Sequence, residues 1–390
     1  LGQSPNPQSP IPNPQSPKIV LYYHIYFKNI LMINNKIEKN NCLFSSENSQ
    51  WNNEYIQYSK FLPNDSFLII NDKSINKFNY DYNNQKNSIE KLGVKNKFAE
   101  KDYIYDCDVI SNNNLEKPYI CLCSKDNPIR ILNNDLSLIK SFALENKSKE
   151  EYLSPIFIKY EEFGINIFTG KNFLSKIDLI KQKEIFTKFN KNYNYLSCFD
   201  YNHKYSCYFI GSYSHNLLMC DYKTDKIIEI YKQEKSINEI KILNTQEYKM
   251  LVGYRNTDYI CLFDIRKMNQ YINKLERYSL TTKKINFVLD KDENTIYCGD
   301  ISGNIIKYSF LNEMNDNEIN QNNFIKDEIY IEINNSLTSI DLENKNKLLI
   351  VTYENKYNTI NNSLKYEIDN DDNLNQIGDK NTSGFKIFKI

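Results

Sequence analysis

The residues that could do chemistry are few, and their spacing departs from every familiar catalytic pattern. Gly164–Asn172 reads GINIFTGKN and approaches a phosphate-binding P-loop, but five residues separate its glycines, where the motif has four. Asn172 stands where a Ser or Thr would hold magnesium. No helical pattern follows Lys171 to supply amide donors to a phosphate. His203, Cys207 and His215 suggest a Cys/His nucleophile pair, yet Cys207 falls on an apolar, strand-like run, where a thiol packs as a small hydrophobe. The chain has three histidines, the third being His24, and its nine cysteines form no C-x-x-C. No metal site is expected from that set. Paired acids such as Asp371-Asp372 lie in polar runs that read as solvated surface. The residues therefore predict no enzyme, no cofactor, no metal and no small-molecule substrate.

The bulk composition is as neutral as the motifs are sparse. Lys+Arg and Asp+Glu both number 49 among 390 residues, so no global charge draws nucleic acid, membrane or acidic partners. Any phosphate-binding role needs a local patch. Hydrophobic residues make up 41% and aromatic residues 14%, enough to build a core. An odd number of cysteines and no clear secretion signal predict a reducing compartment and free thiols. Ser4–Pro17 is Pro-rich and low in complexity, expected to be extended and unpacked. The apolar run Ile19–Ile33 has 15 residues, short of the ~20 that a membrane-spanning helix needs. It reads as a strand or helix packed on the main domain, or as a translated leader.

The elements that must position any site come next. From about Tyr55 the chain repeats one grammar: an apolar strand, a polar turn, then an alternating strand closed by a short polar residue. Copies lie at Tyr119–Asn133, Asn166–Asp178, Cys207–Asp221, Met250–Asp264 and Thr295–Ser309. The closing residues Asn79, Asn133, Asp178, Asp221, Asp264 and Ser309 are 54, 45, 43, 43 and 45 residues apart. A period of ~40–45 with four strands per unit is the signature of WD-repeat blades. A seventh unit fits Leu337–Phe388. The predicted fold is all-β: a seven-bladed WD-repeat β-propeller over 55–390, with Asn-rich insertions at about 312–336 and 354–383. A Pro-rich arm at 1–18 and an extension at 19–54 precede it. Closure into a ring removes exposed sheet edges.

The turns between the second and third strands of each blade should open onto one face. They gather Lys73, Lys125, Lys171, His215 and Arg255 with Tyr213 and Tyr254, and residues 251–290 hold seven Lys/Arg against four Asp/Glu. Basic groups interleaved with aromatics suit a splayed single strand of nucleic acid. An ordinary solvated rim would carry the same residues, and composition alone favours that reading. The RNA-binding candidates are the cations Lys125, Arg255 and Lys284 and the stacking residues Tyr213 and Tyr254. Arg266, after the closing aspartate of its blade, and Gly303, in a tight turn, are read as structural.

Particular residues add a resemblance. Ile104-Tyr105-Asp106, Lys125–Ile131 (KDNPIRI), Gly211–Ser214 and Phe263-Asp264-Ile265-Arg266 resemble successive blades of the telomerase Cajal body protein family. Thr281–Phe287 and Asp300–Gly303 continue the likeness, which runs in order from about Gln50 to Tyr353. The tryptophans that usually close the outer strands are replaced here by Leu132, Cys220, Phe263 and Tyr308. The resemblance implies a non-enzymatic nuclear scaffold. Such a scaffold would bind box H/ACA small Cajal-body RNA and telomerase RNA, associate with ribonucleoprotein proteins, and retain the particles in Cajal bodies. The competing expectation is a generic protein-interaction propeller, such as a ubiquitin-ligase substrate receptor. Phe263–Arg266 is one variant copy of the W-D-x-R box that such receptors use, whereas the preceding blade ends Cys220-Asp221-Tyr222-Lys223.

Overall fold

The computed structural model describes residues 42–46, 55–110, 118–146, 151–160, 165–178, 183–188, 193–310, 324–329, 335–354 and 383–390, less Asn64, Asn84, Asn87, His203, Asp225, Glu247 and Thr282. The chain divides into Leu1–Glu38 and Lys39–Ile390. The first unit, with the Pro-rich arm and the run Ile19–Ile33, lies outside the described residues.

Seven four-stranded antiparallel sheets follow one another, their strands a to d running from the axis outward. Blade 1 is Ile56–Leu62, Ser66–Asn71, Ser74–Asn83 and Ser88–Ala99; blade 2 is Ile104–Ile110, Tyr119–Ser124, Ile129–Leu132 and Leu138–Phe142. Blade 3 is Pro155–Tyr160, Ile165–Gly170, Phe173–Asp178 and Lys183–Lys188; blade 4 is Leu196–Asn202, Cys207–Ser212, Asn216–Asp221 and Ile227–Lys232. Blade 5 is Ile237–Leu243, Lys249–Tyr254, Thr257–Asp264 and Tyr271–Ser279; blade 6 is Phe287–Leu289, Thr295–Gly299, Ile305–Phe310 and Phe324–Ile329. Blade 7 takes three strands from Ser336–Glu343, Leu348–Glu354 and Gly384–Lys389, and its outermost strand from Cys42–Ser45. The molecule is a seven-bladed β-propeller.

Two details differ from the sequence reading. The ring starts at Cys42, inside the stretch 19–54 set aside as an extension, because the strand Gly384–Lys389 would otherwise leave an open edge. The stretch 312–336 read as an insertion holds strand d of blade 6, Phe324–Ile329. An outermost strand pairs on one edge only and tolerates a polar sequence, so composition hides it.

Why the b strands read as continuous apolar runs follows from their position. Each blade is sandwiched between two others, so both faces of its central strands are buried. Phe67 and Ile69 enter the cluster shared with blade 7, while Leu68 and Ile70 enter the cluster shared with blade 2. In blade 4, Phe209 faces blade 5 and its neighbours Tyr208 and Ile210 face blade 3. Period-2 geometry thus feeds two cores from one strand. Among the described residues the apolar clusters number seven, one for each gap between blades.

Around the axis, the a strands are tied by side chains that accept from the next strand's backbone. Asp106 accepts from the Ile158 N–H (3.0 Å), Asp200 from Ile242 (2.7 Å) and Glu239 from Phe287 (3.0 Å). Asn286 accepts from Ile340 (2.8 Å), and Asp341 and Ser339 accept from Phe61 and Ser59 across the ring closure. Tyr58 accepts from the Cys107 N–H, and Lys159 pairs with Asp200, which spans the two remaining junctions. Buried amides at these crossings would otherwise lack partners. Carboxylates therefore recur along the a strands at these junctions.

Candidate functional site

Antiparallel connectivity places the b–c turns and the loops entering each a strand on one face. A repeated hydrogen bond couples the two: the first N–H after strand b donates to the carbonyl just before strand a. Lys125 thus binds Tyr103 (2.7 Å), Tyr213 binds Tyr195 (2.9 Å), Arg255 binds Ser236 (2.9 Å) and Asp72 binds Tyr55 (3.2 Å). Side chains of these positions converge on the mouth of the channel.

Four tyrosines and one arginine dominate that mouth. Tyr103 and Tyr195 are 40% and 39% exposed, and Tyr105 lies edge-on to Tyr103 with ring centroids 5.7 Å apart. The Arg255 guanidinium carbon sits 3.8 Å from the centre of the Tyr213 ring, and its Nε donates to Asn238 (3.1 Å). That stack holds a planar cation and an aromatic face in one fixed unit. Burial, with Asp72, Tyr105, Tyr213 and Glu354 nearby, pushes the Tyr103 hydroxyl up to about 12. Burial also raises the Tyr213 hydroxyl, against the pull of Arg255 and Lys284. These phenols remain neutral at physiological pH and offer uncharged rings. At the edge of the mouth, Lys283 pairs with Glu354 (2.6 Å) and lies 4.3 Å from the centre of the Tyr55 ring.

The residues singled out from sequence fall in four different settings. Tyr213 and Arg255 meet, as described. Lys125 is exposed on its turn. The Lys284 side chain is exposed as a whole, while its ammonium reaches across the opening and lies 5.0 Å from the centre of the Phe157 ring of blade 3. Burial lowers its proton affinity, but Asp106 and Glu239 more than offset that, so the lysine stays charged. Tyr254 requires a correction. It is 5% exposed, belongs to the apolar cluster between blades 4 and 5, and donates its hydroxyl to Gln233 (2.7 Å). As the last residue of strand b it follows the strand's inward alternation, so its ring faces are not offered to a ligand.

Arg266 occupies the opposite face. It forks onto Asp264 through Nε (2.9 Å) and Nη2 (2.6 Å), and its guanidinium carbon lies 4.0 Å from the centre of the Tyr248 ring. This pins the short 3-10 turn Ile265–Lys267 to the blade's own a–b turn. Gly303 has φ of 93°, a left-handed conformation, inside a turn closed by Asp300.

Sequence reasoning passed over Tyr103, Tyr105 and Tyr195, and Tyr55 beside them. A signal was present: Tyr55-Ile56, Tyr103-Ile104 and Tyr195-Leu196 each place a tyrosine directly before the first residue of an a strand.

The described residues weighed for catalytic chemistry lie in ordinary strand and turn settings. Lys171-Asn172 is a strand-to-strand turn flanked by Ile165–Gly170 and Phe173–Asp178, with no helix N-terminus beside it. Cys207 is buried, which pushes its thiol up to about 11. His215 lies on a b–c turn, while His203 and Asp371-Asp372 fall outside the described residues. Among the described residues no group of three or more His, Cys, Asp or Glu could hold a metal ion, and no helix is long and apolar enough to cross a membrane.

No protein-family model matches the chain, and no curated protein matches it. The functional reading therefore rests on the propeller, an interaction scaffold by architecture, and on the mouth it carries.

Proposed function

We propose that this chain is a non-enzymatic WD-repeat scaffold that holds a short, unpaired stretch of RNA at the tyrosine mouth. The observation that carries the reading is the convergence of Tyr103, Tyr105, Tyr195 and the Tyr213–Arg255 stack on one opening. Exposed rings give flat faces for bases at ~1–3 kcal/mol per stacked base. Arg255 and Lys125 supply cations for the backbone between them. Below the rim, Asp106 and Glu239 act on Lys284 and Asp200 pairs with Lys159, so those charges are answered within the protein and the rim cations remain for the backbone. With a net charge of zero, unrelated RNA gains little from the protein at large, so discrimination falls to the shape and bases of a loop.

The resemblance to telomerase Cajal body proteins gives this RNA its proposed class: the loop of a box H/ACA small Cajal-body RNA or of telomerase RNA. Ribonucleoprotein proteins would be the accompanying partners and the nucleus, in Cajal bodies, the location. The rival reading, a ubiquitin-ligase substrate receptor, leans on Phe263–Arg266, whose arginine is already folded onto Asp264 and Tyr248. Affinity purification of the full chain from its own cells separates the two. Enrichment of RNA carrying box H/ACA hairpins is expected; enrichment of a cullin adaptor without such RNA would favour the rival.

A further inference from the structure

On the outer flank of the ring, strand d of blade 4 and strands c and d of blade 5 splay apart around a groove of about 620 Å³. Its floor is Cys261, Phe263 and Met268, which belong to the buried cluster between these blades. Cys261 is the small residue between Tyr259 and Phe263 on the face turned to blade 4, whereas Ile260 and Leu262 face blade 6, so its position leaves room in the floor. One wall is the strand Ile227–Lys232, whose Tyr231 turns toward the cluster between the blades, and the other carries Tyr271, 47% exposed. That strand, Ile227–Lys232, is hydrogen-bonded on one edge only among the described residues.

The charges around the groove are lopsided, although the chain as a whole is neutral. Lys232, Lys235 and Lys274 line it, against Glu234 alone. Lys274 lies 4.2 Å from the centre of the Tyr259 ring and 4.7 Å from that of Tyr271, so its cation is held at the groove's edge. Glu234 accepts from the Tyr259 hydroxyl at 3.4 Å, which occupies part of the only carboxylate there. An apolar floor, a strand with one open edge among the described residues and a surplus of lysines define the complement: an extended chain with apolar side chains on one side and carboxylates beside them. Tyr231, Tyr259 and Tyr271 line the groove as well, but Lys274 already lies over the Tyr259 and Tyr271 rings and takes up those faces.

We propose that this groove docks an extended, acidic and apolar peptide segment of a partner protein, with its aliphatic side chains seated over Cys261 and Met268 and its carboxylates against Lys232, Lys235 and Lys274. The site is separate from the tyrosine mouth and does not depend on RNA binding there.

The test uses the full chain and a short fluorescent peptide of alternating Asp and Leu, compared with the same peptide carrying Lys in place of Asp. Anisotropy should show the acidic peptide binding at least about tenfold more tightly. Tyr271→Asp and Lys274→Glu, both at exposed positions, should each weaken it by about tenfold with unchanged melting. In Lys274→Glu the preference between the two peptides should narrow. Equal binding of the two peptides, or unchanged affinity in both variants, would overturn the proposal. Displacement of the acidic peptide by oligouridylate would also overturn it, because the surface would then belong to nucleic acid.

Discussion

Replacing Ser46 with Ala should unlock the seventh blade. Ser46 is 4% exposed and follows the strand Cys42–Ser45, which pairs with Gly384–Lys389. Its Oγ donates to the Phe385 carbonyl (3.1 Å) and accepts from the Phe385 N–H (2.9 Å), while its own N–H also binds that carbonyl (3.0 Å). Alanine keeps the last of these and loses the first two. Each hydrogen bond contributes ~0.5–1.5 kcal/mol net, so losing two should cost Ser46→Ala about 1–3 kcal/mol. No large cavity forms, since one oxygen is removed, and the loss is therefore one of polar pairing. Urea unfolding is the assay: the midpoint should fall with an unchanged slope, because the same surface is exposed on unfolding. A loss below ~0.5 kcal/mol would mean that the ring is not closed through this residue, and would refute the reasoning.

Three further outcomes follow from the same geometry. Burial holds the Asp341 carboxyl up at about 6, against the Phe61 N–H and Lys60, so in the folded state it keeps its proton to higher pH than in the unfolded chain. Stability should then fall as pH rises from ~4 to ~6, by about 1–3 kcal/mol after screening by channel water, and Asp341→Asn should flatten that part of the pH–stability curve. Gly303→Val forces a β-branched residue to φ of 93° and should cost ~1–3 kcal/mol, read as a lower Tm. Tyr254→Phe removes one hydrogen bond to Gln233 and should cost ~1 kcal/mol of stability while leaving RNA affinity unchanged; an affinity loss would return Tyr254 to the binding surface.

Much of the ring was legible because a four-stranded meander has a nearly constant contour length, so the closing residues of blades 2 to 6 recur every 43–45 residues. The buried b strands announced themselves as apolar runs such as Phe67–Ile70 and Tyr208–Ile210 for the packing reason given above. What escaped notice has no local signal. Cys42–Ser45 is four residues long and earns its place only by pairing with residues near the other end of the chain. The mouth was half legible. Turn order put Tyr213 and Arg255 on one face, but whether a tyrosine near a turn points in or out depends on one residue of strand length. Tyr254 is the last residue inside its strand and Tyr213 the first beyond its own. Lys284 escaped for a different reason: a long side chain on a loop can reach across to the inner strand of another blade, and sequence spacing does not encode that reach.

The central claim is that the tyrosine mouth reads an unpaired RNA loop, and the most direct test is the affinity of a box H/ACA hairpin with and without its loop motif. The measurement should span a range of salt concentrations and compare the wild type with Tyr195→Ala, whose ring is exposed and whose removal leaves the core intact. The account predicts tighter binding of the intact hairpin and a ~1–3 kcal/mol loss in Tyr195→Ala, roughly 5- to 150-fold. It also predicts a shallow salt dependence, about 0.7 in slope for each phosphate contacted. Equal affinity for both hairpins, with no change in Tyr195→Ala, would contradict it.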